Sequence, residues 1–391
     1  MKAITDEKKI EEILGRGVEN IYPSKEELKK VLLSGRVLSI YNGIDPTGPT
    51  LHIGHGSTLL KLKEFQDLGH KIILLIGDFT GRIGDPTDKT ATRKQLSVKE
   101  IKKNLQSYTK QANMILDMKK VQVKFNSKWL SKLSFEQVME IASEFTLQQM
   151  IERDMFERRL KEGQPIHLHE FFYPLMQGYD SVAMNVDMEI GGNDQTFNML
   201  IGRTMMKNRG KEKYVLTTKL LVDPTGKKMG KTEGNMVTLE DSPENMFGKI
   251  MSWPDALIPS AFEICTRVSS VEISKINLKN PRDAKMRLAY EIVKTYHGEK
   301  KAKEAQESFI NTFQKKEIPT EMTEIKYKPG EKLMDTLTRT GLLPSKGTFR
   351  RLVAEGGITN LGNNEKIKDV NILAAPGVRL KVGKKTFIKI K

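Results

Sequence analysis

Residues 37–77 read VLSIYNGIDPTGPTLHIGHGSTLLKLKEFQDLGHKIILLIG, and the patterning of this stretch decides the fold class. Val37 to Tyr41 is a short β-rich run, closed by the turn formers Gly43, Asp45-Pro46 and Gly48-Pro49. Leu59, Leu60, Leu62, Phe65 and Leu68 then recur at helical spacing, and Gly69 stops the helix. Lys71 to Gly77 is apolar almost throughout, the mark of a strand buried on both faces. Strand, helix and strand in succession make a βαβ unit, and a βαβ unit implies a parallel sheet.

Working outward, the pattern repeats. Upstream, residues 5–33 read as helices, with a capping box at Ser24–Glu27. Downstream, a loop rich in Gly, Asp and Thr runs from Gly77 to Lys94, and a second capping box at Ser97–Glu100 opens an amphipathic helix. Val121 to Phe125 is expected to be a third strand, and helical patterns cover 134–162 and 169–183. Val186 to Ile190 reads as a strand ending in Gly191-Gly192, followed by a helix over 194–207 and a strand at Tyr214–Leu216. This alternation predicts a Rossmann-like, doubly wound parallel sheet over residues 1–240. Residues 241–325 read as a wholly helical domain, and 318–330 as a linker carrying Pro319 and Pro329. Residues 330–391 read as a small α+β domain with helices over 331–340 and 345–355 and short β runs near its end.

Charge narrows the class of partner. The 391 residues carry a formal charge of +16. Residues 330–391 contain nine lysines and four arginines against five acids, so half the excess lies in this terminal piece. A concentrated basic unit fits a nucleic-acid partner, and a solvated basic face fits equally. Cys265 is the single cysteine, which excludes an internal disulfide framework and a cysteine-based zinc site. The densest apolar run, Ile72 to Ile76, is far too short to span a bilayer, and the acidic N-terminus is not a secretory signal, so a cytoplasmic protein is expected.

Two segments carry chemistry. Leu51-His-Ile-Gly-His-Gly56 opens the first crossover helix, at the ligand end of the first strand. A helix start favours anions, and Gly54 removes bulk so that a base or phosphate can come close to the backbone. Reading His52 and His55 as metal ligands fails, because no third ligand stands at suitable spacing. The second segment, Gly226-Lys-Lys-Met-Gly230-Lys-Thr232, imitates a phosphate-binding P-loop but has three residues between its glycines where four are required. It still places Lys227, Lys228 and Lys231 on a loop that can close over phosphates, and the same residues fit an ordinary basic surface loop. His167 and His169 read as surface or packing residues, and Phe171-Phe172 as core or subunit interface.

Taken together, His52-Ile-Gly-His55 after the first strand and Lys228-Met-Gly-Lys-Thr232 far downstream resemble the paired signatures of class I aminoacyl-tRNA synthetases. Tyr41-Asn-Gly-Ile-Asp45-Pro-Thr47, Gly84-Asp85-Pro86, Tyr173-Pro-Leu-Met-Gln177-Gly-Tyr-Asp180 and Gly191-Gly-Asn-Asp194-Gln195 narrow the resemblance to the bacterial tyrosyl-tRNA synthetases. Gly341 to Gly357 resembles the S4-type RNA-binding module that bacterial members carry. Three positions depart from the pattern: Gly230 where the class has Ser, Asn42 where relatives often have Cys, and Thr196 where Trp is frequent.

The resemblance implies a reaction and a set of roles. Tyrosine and ATP give tyrosyl-adenylate and pyrophosphate, and the tyrosyl group then passes to the terminal adenosine of tRNA(Tyr). His52, His55, Lys228, Lys231 and Thr232 would serve the transferring phosphates, and Lys89 and Arg93 the pyrophosphate end. Tyr41 and Asp180 would face the substrate phenol, with Asp85, Tyr173 and Gln177 on its α-amino group and Asn126 nearby. Asp45, Thr47, Gly54, Thr58, Gly192, Asp194, Gln195 and Lys231 would bind ATP. Lys346, Arg350 and Arg351 would lead the tRNA contacts. Mg²⁺ is expected with ATP, with no tightly bound cofactor and no membrane partner, and a homodimer is implied. A tryptophanyl enzyme would not need an acid at Asp180. An RNA-binding relative without activation chemistry would not need His52, His55, Lys228, Lys231, Asp85 and Asp180 together.

Overall fold

The computed structural model describes residues 2–85, 98–222, 236–313, 322–363, 365–383 and 386–391. It divides into two compact units, Met1–Gln306 and Glu307–Lys391.

The first unit is built on a six-stranded sheet. Its strands are β1 (Val18–Tyr22), β2 (Ser39–Ile44), β3 (Lys71–Ile76), β4 (Val121–Phe125), β5 (Met188–Gly192) and β6 (Tyr214–Thr218), in the order β1-β6-β5-β2-β3-β4. All neighbours are parallel except β1, which runs antiparallel to β6 at the edge. The reading of 5–33 as helices alone is corrected here. β1 lies between α1 (Glu7–Gly15) and α2 (Lys25–Leu33), and its five residues alternate too weakly to announce a strand. Its backbone pairs only because β6 offers an open edge.

Helix α3 (Ile53–Asp67) crosses from β2 to β3 and ends at Gly69, whose φ of +90° only glycine takes readily. The 71–76 strand is buried from Ile72 onward, as its apolar run predicts. α3 is buried on more than one side and carries charge inward. Lys61 Nζ lies 2.6 Å from Glu64 and donates to the carbonyls of Ile13 and Arg16. The Arg16 guanidinium pairs with Glu64 and donates to the carbonyl of Thr266 at 2.6 Å. Burial pushes the Lys61 ammonium below its usual range, so these partners keep it charged.

The remaining helices of the unit follow in chain order: α4 (Thr80–Ile83), α5 (Val98–Ala112), α6 (Ser127–Leu130), α7 (Phe135–Ser143), α8 (Leu147–Ile151), α9 (Asp154–Lys161), α10 (Leu168–Met184) and α11 (Thr196–Asn208). The pattern over 134–162 is thus three short helices, and Ser134 and Thr146 each start one with a capping box. Between β6 and residue 313 the regular elements among the described residues are all helices, α12 (Pro243–Met251), α13 (Ile258–Cys265), α14 (Ser270–Ile273), α15 (Pro281–His297) and α16 (Glu299–Phe313), with an isolated bridge from Thr238 to His52.

The second unit has its own core around Leu337, Phe349, Ile358 and Ile388. Its sheet comprises β7 (Thr323–Ile325), β8 (Ile358–Asn360), β9 (Glu365–Lys366), β10 (Arg379–Val382) and β11 (Thr386–Ile390), in the order β7-β11-β10-β8-β9. Its helices are α17 (Leu333–Arg339) and α18 (Lys346–Ala354). β7 lies inside the stretch read as linker, and it pairs parallel with β11. Three residues are too few to show a strand period in sequence.

His70 is the buried titratable group nearest the turn into β3. Its Nδ1 accepts the Leu38 backbone N–H at 3.2 Å, and burial lowers its pKa to about 4. Because the folded value lies below the unfolded 6.5, its contribution is complete above pH 6.5 and is lost as pH falls towards 4. At ~1.4 kcal/mol per unit the loss reaches roughly 3 kcal/mol. Urea midpoints measured at pH 7 and pH 4.5 are expected to converge in His70→Asn, which keeps an acceptor but cannot titrate. An unchanged gap would remove His70 as the cause.

Candidate active site

The strand order reverses direction between β2 and β5. Chain order proceeds outward through β3 and β4 on one side and through β6 on the other. In an open α/β sheet the carboxyl end of that switch point is where ligands bind. Here it gathers the end of β2 with Asp45, the start of α3, and Gly191-Gly192 with Asn193 to Gln195 beyond β5.

His52 is the N-cap of α3, and its Nδ1 accepts the Gly54 N–H at 3.1 Å. His55 reaches back to accept the His52 N–H at 3.2 Å, completing a capping box built from two imidazoles. The rings lie 3.9 Å apart, centroid to centroid. With Nδ1 an acceptor in both, a neutral ring carries its proton on Nε2, so both histidines are N–H donors at a helix start. Gly54 also leaves room for the cap itself, since a Cβ there would meet the His52 ring at 3.0 Å. Gly56 is held by Tyr296 of α15, whose hydroxyl would lie 2.2 Å from a Cβ at that position. Thr58 is buried one turn further along α3.

A second group of side chains lies between β2, the end of β4 and α10. Tyr41 is fully buried, and its hydroxyl lies 2.8 Å from Ser181 Oγ. Asp180, one residue earlier on α10, accepts from Trp129 Nε1 at 2.6 Å and from Asn126 Nδ2 at 3.2 Å. Burial raises the Asp180 carboxyl well above the usual carboxylate range, reinforced by the charges of Glu189 and Asp45 and opposed by those two donors. Burial also raises the Tyr41 and Tyr173 phenols, so both stay protonated. Asn126 is fully used: its Oδ1 accepts from the Phe79 N–H at 2.9 Å, and its Nδ2 also reaches Thr80 Oγ1 at 3.0 Å. Thr80 donates to Asp45 at 2.7 Å, and Tyr173 donates to the other Asp45 oxygen at 2.8 Å.

A third group centres on Asp85. One oxygen lies 3.1 Å from the buried guanidinium of Arg153, and the other accepts from Gln195 Nε2 at 2.7 Å. Gln177 donates to Glu189 at 3.0 Å, and Glu189 forms a buried ion pair with Lys213. The Lys213 ammonium lies 5.7 Å from the centre of the Tyr41 ring, which joins this group to the second.

Sequence reading selected Tyr41, Asp45, Asp85, Asn126, Tyr173, Gln177, Asp180 and Gln195, and hydrogen bonds or charge link these residues in the structure. Thr47 follows Asp45 in the same turn, its N–H donating to the Asp45 carbonyl at 2.8 Å. The Asp194 carboxylate folds back over Gly192, where a Cβ would meet it at 2.5 Å. Lys89, Arg93, Lys228, Lys231 and Thr232 lie outside the described residues. Lys346, Arg350 and Arg351 are exposed on α18 in the second unit, and Lys346 pairs with Asp335 at 2.7 Å. Asn42 spends its amide on the Ile190 carbonyl at 2.8 Å, and Thr196 donates to the Asn193 carbonyl at 2.6 Å. Trp129, Thr80, Ser181, Arg153, Glu189, Lys213 and Tyr296 were not singled out from sequence. Only Lys213 and Glu189 left a signal, as charges flanking or inside strands buried on both faces. Among the described residues no cluster of three or more His, Cys, Asp or Glu could hold a metal ion.

Comparison with known proteins adds a family. Residues 33–314 match the family of class I tRNA synthetases described by W and Y. The chain is 45% identical to a tyrosine–tRNA ligase of Carboxydothermus hydrogenoformans, with 97% of each chain covered. It is 44% identical to one of Thermotoga maritima, with 97% of this chain and 96% of that one covered. Among solved structures it is similar to a C-terminally truncated mitochondrial tyrosyl-tRNA synthetase of Coccidioides posadasii, with a TM-score of 0.61 and 25% identity over 76% of this chain and 91% of that one.

The Gly56–Tyr296 contact is open to test. Gly56→Ala is expected to destabilise the fold by about 1–3 kcal/mol through overpacking. Tyr296→Phe removes a buried hydroxyl with no hydrogen-bond partner among the described residues, and is expected to be neutral or slightly stabilising. Combined, the two changes should cost less than their sum in thermal melts; strict additivity would mean that the contact is not as drawn.

Proposed function

The chain belongs to the class I tRNA synthetases of the tryptophanyl and tyrosyl branch, and from that premise we propose that it is a tyrosine–tRNA ligase. The observation that carries the choice of tyrosine over phenylalanine is the buried, hydrogen-bonded Asp180 close to the buried Tyr41. A carboxylate at that depth suits a phenol, because phenylalanine would leave buried polar groups unpaired. Because Asp180 also accepts an indole N–H, from Trp129, the choice of tyrosine over tryptophan is supported by the near-full-length identity to tyrosine–tRNA ligases.

The tyrosine carboxylate attacks the α-phosphorus of ATP, the bond to the bridging oxygen breaks, and pyrophosphate leaves with the electron pair. ATP arrives as its Mg²⁺ complex, the ion being part of the substrate. The chain supplies positioning and charge rather than a nucleophile. His52 and His55 donate N–H bonds to phosphate oxygens at the start of α3. Lys228, Lys231 and Thr232 approach from the second motif, and Lys89 and Arg93 take the pyrophosphate. Thr47, Gly54, Thr58, Gly192 and Asp194 serve the nucleotide. Asp45 supports this end while also holding the Tyr173 hydroxyl. Asp85 and Gln177 receive the substrate ammonium, with Tyr173 beside them. A terminal hydroxyl of tRNA(Tyr) then attacks the mixed anhydride and releases AMP.

The second unit would hold tRNA(Tyr) by backbone and shape, led by Lys346, Arg350 and Arg351 on the exposed side of α18. A homodimer is supported by the grouping of large exposed apolar residues, which include Phe135 at 81% and Leu168 at 79% exposure, with Met139, Leu147 and Leu160 between them in sequence. Among the described residues no helix is long and apolar enough to cross a membrane, and a cytoplasmic location suits substrates that are tRNA and ATP.

Tyrosine-dependent exchange of pyrophosphate into ATP, run with each amino acid in turn, tests the assignment. Activity is expected with tyrosine alone, and exchange with tryptophan in its place would overturn it. Asp180→Asn should narrow the preference for tyrosine over phenylalanine by roughly tenfold or more. Removing residues 322–391, which takes β7 with its sheet, should leave exchange intact while weakening tRNA charging and its dependence on salt. Equal loss of both steps would contradict that division. Phe135→Asp with Leu168→Asp should shift sedimentation from dimer to monomer, and an unmoved boundary would place the interface elsewhere.

A further inference from the structure

We infer that Asn198 is a positioning residue for the ammonium group of the substrate, acting through the two glutamines beside it. The inference rests on the reading of Asp85 and Gln177 as the ammonium partners.

Asn198 lies in the first turn of α11 and is fully buried. Its Nδ2 donates to Gln177 Oε1 and to Gln195 Oε1, both at 3.0 Å. Each glutamine passes the arrangement on. Gln177 Nε2 donates to Glu189 at 3.0 Å, and Gln195 Nε2 donates to Asp85 at 2.7 Å. Each carboxylate in turn meets a buried cation, Lys213 at Glu189 and Arg153 at Asp85. The chain is therefore symmetric about Asn198: cation, carboxylate, glutamine, asparagine, glutamine, carboxylate, cation.

That symmetry fixes every orientation. Ammonium and guanidinium groups only donate, and ionised carboxylates only accept. Each carboxylate therefore draws the NH₂ end of its glutamine, and each glutamine turns its carbonyl towards position 198. Only a side chain with two N–H bonds can meet both carbonyls. Asn198 does so at a cost, because its own Oδ1 is buried without a hydrogen-bond partner among the described residues. An unpaired buried acceptor is unfavourable, and its retention needs a reason. Turning the Asn198 amide over would break both links and release both glutamines. The carbonyl of Gln177 would then be able to turn away from an incoming ammonium, and Gln195 would leave Asp85.

Asn198→Asp keeps the shape and replaces the donor by an acceptor, so both glutamine carbonyls are repelled. The binding of tyrosine and of tyramine, which bear the ammonium group, is expected to weaken about thirtyfold, with kcat changing by less than KM. Binding of 3-(4-hydroxyphenyl)propionate, which has the phenol and the carboxylate but no ammonium, should stay within about twofold. Asn198→Ser, a smaller change, should show the same selective loss to a lesser degree, and circular dichroism melts check that each variant is folded. Equal weakening of all three ligands, or undiminished tyramine binding in both variants, would overturn the inference. Asp85→Asn separates it from the reading beneath it. If Asp85→Asn spares tyramine, the ammonium site itself is misplaced. If Asp85→Asn weakens tyramine while the position 198 variants do not, only the role of Asn198 falls.

Discussion

Charge taken out of water must find a partner, and the carboxyl end of the central sheet is arranged around that requirement. Asp180, Glu189, Asp45 and Asp85 lie close together there, and buried like charges repel unless they are paired. Lys213 pairs with Glu189 and Arg153 with Asp85. Asp180 has indole and amide donors in place of a cation, and burial holds its carboxyl high. Removing one member of a buried pair typically costs about 3–5 kcal/mol, so the cations are as necessary to this region as the acids they face.

The sheet topology makes such crowding possible. In a doubly wound sheet the crossovers leave in opposite directions at one point, and the ends of the two central strands stand open there. β2 brings Tyr41 and Asp45 to that opening, and β5 brings Glu189 in register with Tyr41 across the strand pair. α10 supplies Tyr173, Gln177 and Asp180 from one continuous helix. Their spacings of four and three residues place them along one side of it. In the proposed reading a phenol, an ammonium group and a phosphate chain would be received side by side there, without any residue acting as a nucleophile.

Much of this was legible in the linear sequence where local chemistry leaves a period or a spacing. The apolar run of β3, the helix stop at Gly69 and the two histidines at the start of α3 are written in neighbouring residues. The residues on α10 proposed for the site were selected by resemblance, because the surrounding residues repeat a known pattern. Reading failed where the cause lay far away in the chain. β1 pairs because β6 offers an edge, and β7 because β11 does. Gly56 is small because Tyr296 covers it, from a helix more than 200 residues later. Lys61 and Glu64 point inward because Arg16 and the backbone of α1 meet them there.

Sequence alone therefore determined the class of sheet and the succession of its main strands along the chain, and it named the groups proposed to meet a phosphate or a phenol. Periodicity and residue type act over a few positions, and those features depend on nothing further. Which acid is paired, which amide faces which way, and why an asparagine stands between two glutamines were decided only by tertiary structure. Hydrogen bonds and ion pairs join residues that the chain keeps apart, and their directions follow from where the buried charges come to rest.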